Sequence, residues 1–392
     1  MEYSGKRMRR LLARYCTPAF LSILGLTGCG GANTTASTSP TPTNGAQMVV
    51  GVSGRNMTLN GSPWLSRGVV LQAFVRPLSA LESESTQKAV LNARENYGET
   101  ELKQIHAFHA DTIRFQIGQP ALDPNSPLYD PKYFSAVVNA IQQARQAGFV
   151  VMIMMQDEQI SGEPTPHPLP TAETESDWDQ FIPVFGSDRG VIFELYNEPS
   201  LPATAANWQL WLQGGQVPNQ TEPAIGMEVL INHIRAKGAE NVFVLDGLDL
   251  AKTLQGVPAV SDPLNRLVYA VHPYLDGSAD ESQWDTEFGV QSASIPVWVD
   301  EWSAPTHLAL GLGTLSSYQV AVDFLNYLQR DSIPLCTGAF DVPQFVVQDI
   351  PGWTLTNYEN YSDTSTTEGS GTLVYNDYAS DYSRTLTLAD GL

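Results

Sequence analysis

Two short apolar runs in this chain each lead into a glutamate. Residues 191–196 (VIFELY) precede Asn197-Glu198-Pro199, and residues 296–299 (PVWV) precede Asp300-Glu301-Trp302. Runs this short and this rich in Val, Ile and Phe read as strands buried on both faces. Pro199 stops the first ladder just past Glu198. Two carboxyl groups carried to neighbouring strand ends can cleave a glycosidic bond: one gives a proton to the leaving oxygen while the other meets the cationic sugar carbon. The pair must then differ in protonation, which mutual repulsion and partial burial can impose. Asn197 can donate an amide hydrogen bond to a sugar hydroxyl. Glu194, in mid-strand, is expected to be structural. Asp300 is expected to point away from Glu301, because strand neighbours alternate faces.

Further motifs accompany the pair, namely Asp111-Thr112-Ile113-Arg114-Phe115 and Val271-His272-Pro273-Tyr274. Taken together, the chain resembles glycoside hydrolase family 5, the cellulase family, over roughly residues 48–340. The resemblance implies Glu198 as general acid/base and Glu301 as nucleophile of a retaining β-glycosidase. It also implies that Arg114 and Tyr274 contact the nucleophile and that His272 lines the cleft. A cation and a phenol beside Glu301 would favour its ionised form and orient it. The family's histidine after strand three is replaced by Met155-Gln156-Asp157, where Gln156 can still bind sugar. The family's tryptophan after strand eight is replaced by Ala339-Phe340-Asp341, so Phe340 or Trp353 is expected to substitute. Trp302, next to Glu301, is the expected stacking surface for a sugar, whereas Trp208 and Trp211, three apart on a helix, are expected to be core.

Eight β-rich runs can position these groups, at 65–71, 112–117, 150–155, 191–196, 242–245, 267–271, 297–299 and 337–340. Helical stretches alternate with them, among them 133–147 and 227–237, each ending at a glycine, and 317–329. Eight strand–helix units imply an α/β fold, a (β/α)8 TIM barrel in a single domain over residues 48–392. No glycine-rich dinucleotide fingerprint follows the first strand. Residues 48–63 read as a hairpin closing the barrel floor. The part beyond Asp349 reads as loop with a terminal helix or strands.

The composition sets limits. With 392 residues, 42% hydrophobic and 16% charged, the chain can bury one large core, and its net charge of −21 excludes a phosphate-backbone partner such as nucleic acid. The expected partner is a β-linked glucan or mannan, cleaved internally by a monomer without cofactor or metal. Residues 1–28 read as an export signal, with a basic start (Lys6, Arg7, Arg9, Arg10) and an apolar stretch too short to span a bilayer. It ends in Leu26-Thr27-Gly28-Cys29, which looks like a bacterial lipobox and implies lipidation of Cys29 and anchoring to the cell envelope. Residues 29–47, rich in Ser, Thr, Pro and Gly, read as a flexible tether. Only Cys336 then remains in the fold, so disulfides are excluded. The rival readings are a surface lipoprotein that binds glycan on the same barrel without cleaving it, and a related exo-β-glycosidase or transglycosylase.

Overall fold

The computed structural model describes residues 48–83, 87–157, 166–274, 280–304, 315–343, 345–358 and 369–392. The expected signal, Cys29 and tether lie outside the described residues. Eight parallel strands close a barrel: β1 (Arg67–Leu71), β2 (Thr112–Gly118), β3 (Val150–Gln156), β4 (Val191–Glu194), β5 (Val242–Asp246), β6 (Leu267–Val271), β7 (Val297–Trp302) and β8 (Leu335–Thr337), with β8 pairing back onto β1. All eight expected runs supply a strand. The eighth lies two residues earlier than expected, because Leu335 and Thr337 pair with Arg67 and Val69. The fourth stops at Glu194, so Asn197-Glu198-Pro199 belongs to the loop above it.

Alternation sorts the side chains. Outward-facing Val69, Ile113, Val151 and Phe193 pack under the helices, while Val70, Met152, Ile192, Val244, Ala270, Trp298 and Cys336 fill the interior. Gly68 faces Cys336 so closely that an added Cβ would lie 2.1 Å from the Cys336 sulfur. The glycine is thus needed for the barrel to close there.

Helices at Tyr133–Gln146, Met227–Ala236 and Leu315–Asp331 match expectation within two residues. Gly148 and Gly238, at φ 96° and 91°, follow the first two as left-handed stops. The segment before β1 is a three-stranded antiparallel sheet, Val50–Ser53, Asn56–Leu59 and Ser62–Pro63. Its second turn sets Asn60 and Gly61 at φ 53° and 80°, a pair suited to a tight hairpin. Val50 and Met57 pack with Val150, Val242 and Val268, which lie at or next to the start of their strands, so the sheet plugs the barrel floor. Beyond β8, the helix Gly371–Ala379 returns to the barrel, and Tyr378 donates its hydroxyl to Gly68 O or Leu335 O. Among the described residues no helix is long and apolar enough to cross a membrane.

Candidate active site

Arg114 projects inward from β2 and is fully buried. Alternation aims it at the axis with Gln116 above it, while Ile113 and Phe115 face the helices. Its guanidinium grips Glu194 of β4 through two bonds, Nε to Oε2 at 2.6 Å and Nη2 to Oε1 at 2.5 Å. Nη2 also donates to Oδ1 of Asn197 at 2.8 Å, and Nη1 donates to Oε2 of Glu301 at 2.5 Å. A planar fork with fixed N–H directions can hold three groups from two strand ends in this way. The bond to Oδ1 leaves the Asn197 amide nitrogen as its remaining donor.

Glu301 reaches the interior through a fault in β7. Val299 pairs with Leu335 and Trp302 with Thr337, so Asp300 and Glu301 together stand opposite the single residue Cys336. This bulge breaks the alternation. Asp300 therefore does not turn away from Glu301: both face the barrel axis, Asp300 to His272 and Glu301 to Arg114. Glu301 further accepts from the Tyr274 hydroxyl at 2.5 Å and from Nε2 of Gln116 at 3.2 Å.

Glu198 stands across the mouth in a left-handed backbone conformation, φ 51°. Its N–H donates to Oδ2 of Asp246, the last residue of β5, at 2.8 Å. His272 lies between the two sides. Its Nδ1 meets Oε1 of Glu198 at 3.1 Å and its Nε2 meets Oδ1 of Asp300 at 3.0 Å. One oxygen from Glu198, one from Glu301 and one His272 nitrogen all fall within 4.8 Å of one another.

The charges differ sharply across this small volume. Burial works against ionisation of Glu301, but Arg114, His272 and the Tyr274 hydroxyl overcome it and hold the carboxyl down at about 2. Burial likewise opposes the His272 cation, yet Asp246, Glu301, Asp300 and Glu198 raise its pKa well above the ordinary value. Burial and the adjacent Glu301 push the Tyr274 phenol up, so it remains a donor. The site therefore offers an ionised carboxylate, a second and partly exposed carboxyl group, and an imidazolium held between Glu198 and Asp300.

The structure brings Glu198, Glu301, Arg114, Asn197, His272 and Tyr274 together. Gln156 ends β3 at the same rim and is half-buried. Trp302 is not with them. It is fully buried on the outer side of β7, tilted against Phe324 at 5.4 Å between ring centres. The same bulge that turns Glu301 inward restores the outward phase at Trp302, so it presents no face to a sugar. Phe340 and Trp353 stack on each other at 5.6 Å and are buried as well, so neither replaces an open aromatic floor. Trp208 and Trp211 are core, as their spacing implied. Three groups were missed by reading the sequence: Gln116, Asp246 and the inward Asp300. Gln116 is two residues from Arg114 on one strand, and Asp246 ends a buried run as Glu301 does, so both carried a usable signal.

A closed α/β barrel with a carboxylate pair at the carboxyl ends of its strands is the architecture of many enzymes acting on sugars. Residues 82–337 match the model of the cellulase family, glycosyl hydrolase family 5, and the chain belongs to that family. It is 31% identical over 116 residues to the manganese dependent endoglucanase Eg5A of Phanerodontia chrysosporium; that stretch spans about a quarter of each protein, 27% of this chain and 26% of the relative. Among solved structures, the β-glucanase SdGluc5_26A of Saccharophagus degradans superposes with a TM-score of 0.60 at 18% identity, over 88% of this chain and 98% of that one, and has also been solved with cellotetraose. The catalytic domain of Thermobifida fusca endoglucanase Cel5A gives 0.56 at 16% identity, over 84% and 97%. At these identities the structural likeness establishes the fold.

Proposed function

We propose that this chain is a retaining, endo-acting β-glucan hydrolase with Glu198 as general acid/base and Glu301 as nucleophile. The observation that carries the reading is the approach of the two carboxyl groups to within 4.8 Å while Glu301 is held ionised. Separations near ~5 Å suit direct attack on the sugar carbon, whereas inverting enzymes hold their carboxyls ~6.5–9.5 Å apart to admit a water. Glu301 attacks the anomeric carbon as Glu198 protonates the departing oxygen; Glu198 then takes a proton from the water that releases the sugar. Asn197 and Gln156 are the sugar-binding groups at the rim. Glucan is favoured over mannan because the Saccharophagus and Thermobifida proteins are a β-glucanase and an endoglucanase, each solved with cellotetraose.

Incubation with β-1,4-glucan should release new reducing ends as a ladder of oligosaccharides. Glu301→Ala should abolish turnover, and azide should partly rescue Glu198→Ala on activated aryl glycosides. Wild-type turnover in either variant removes that residue from the mechanism.

Manganese, named for the Phanerodontia relative, does not fit the residues present here. Among the described residues, the groups close enough to share an ion are Glu194, Asp246, His272 and Asp300, or Glu198, His272 and Glu301. His272 presents both nitrogens to carboxylates as a cation and has no lone pair to give. The Arg114 guanidinium already occupies Glu194 and Glu301. No metal step is therefore invoked. Export and lipidation at Cys29 complete the reading: Cys29→Ala should move the enzyme from the membrane fraction to the soluble one and end incorporation of labelled palmitate. Retention of both would refute the anchor.

A further inference from the structure

Asp246 has no role in the chemistry above, yet it touches Glu198 by two routes. Its Oδ2 accepts the Glu198 N–H at 2.8 Å and lies 3.6 Å from Nε2 of His272, whose Nδ1 faces the Glu198 carboxyl at 3.1 Å. The carboxylate is fully buried and its Oδ1 has no hydrogen-bond partner, an arrangement that costs stability and that the fold does not need. Its own backbone is pinned from outside the barrel, where Nε1 of Trp211 donates to the Asp246 carbonyl at 3.0 Å. The residue it holds is under backbone strain, since a left-handed φ is unfavourable for glutamate.

We propose that Asp246 is a positioning residue that fixes the turn at Glu198 and holds His272 against the Glu198 carboxyl. The proposal rests on Glu198 being the acid/base. The charged and titratable groups facing Asp246 are Glu194 of β4, His272 following β6, Asp300 of β7 and Arg114 of β2. Burial raises Asp246 to about 7, His272 pulls it down and Asp300 pushes it up, so its charge develops near neutral pH. That charge favours the proton on His272, whose Nδ1 faces Glu198. Asparagine at this position still accepts the backbone N–H but carries no charge.

The test compares kcat, KM, pH profile and thermal melting of the wild type, Asp246→Ala, Asp246→Asn and Glu198→Ala on an aryl cellobioside. Asp246→Ala should lose kcat on the order of a hundredfold with KM within about threefold. Asp246→Asn, which keeps an acceptor for the Glu198 N–H, should recover about tenfold or more of that loss. Wild-type kcat in Asp246→Ala overturns the proposal. So do equal losses of kcat in both variants, or a loss carried by KM, which would mark a merely structural residue. If Asp246→Ala does not fold, Asp246→Leu, which fills the same space without an acceptor, takes its place in the comparison. Should Glu198→Ala keep the wild-type rate, the underlying reading falls. If Glu198→Ala is inactive and Asp246→Ala is not, only the positioning role falls.

Discussion

Arg114 shows how much one side chain can organise. It joins Glu194, Asn197 and Glu301 with no exposed atom, so its loss leaves buried carboxylates uncompensated. Lysine keeps the charge but cannot reproduce the two-pronged grip. Arg114→Lys should therefore destabilise the protein by about 3–5 kcal/mol, close to the cost of breaking a buried pair, and lower kcat as Glu301 loses its orientation; chemical denaturation and kinetics check both. Trp302 predicts the opposite split. Trp302→Phe should cost about 1–3 kcal/mol of stability through the space left beside Phe324 while leaving KM for oligosaccharides unchanged. A raised KM at wild-type stability would return Trp302 to the sugar site. At this scale the sequence was legible wherever a residue type and a strand end coincided, as at Glu198, Glu301 and Tyr274. It misled at Asp300 and Trp302 because a single extra residue in β7 inverted the alternation from which both were placed, and nothing in V-W-V-D-E-W announces a bulge.

Among the elements, the loop after β5 is the least expected. Asp249, Leu250 and Ala251 take φ of 61°, 63° and 56° in succession, a left-handed turn without glycine. The N–H groups of Asp249 and Leu250 donate to Leu201 O and Pro199 O, and Ala251 O accepts from His272 N, so this turn ties the Glu198 loop to β6. A left-handed residue costs roughly 1–2 kcal/mol and glycine gives back about 0.5–1 in chain entropy. Since the Asp249 side chain is exposed, Asp249→Gly should stabilise the protein by about 0.5–1 kcal/mol, read as a raised Tm. A lowered Tm would mean that the carboxylate holds something. Strands and helices were legible in the sequence because apolar periodicity encodes them. This turn was not, because its conformation is imposed by the carbonyls it must satisfy.

For the whole molecule, burial has a pH signature. Burial lifts Asp177 to about 9, Asp246 and Asp377 to about 7 and Asp341 to about 6, from an ordinary 3.8. Between the ordinary value and these raised ones the folded chain holds more protons than the unfolded one, so stability falls as pH rises. Glu301, held at about 2, acts in reverse: its contribution is present above about 4.5 and is lost as pH drops toward 2. Tm should therefore peak in mildly acidic solution and decline toward pH 8–9; calorimetry across that range showing a steady rise would contradict the assignment.

The small sheet under the barrel also gives the molecule a direction. Val50 and Met57 seal one end of the barrel, and Glu198 and Glu301 stand at the other. Residue 48, the first described, lies at this sealed side. Were the enzyme anchored ahead of residue 48, as proposed, its point of attachment would lie opposite the opening that meets an insoluble polymer.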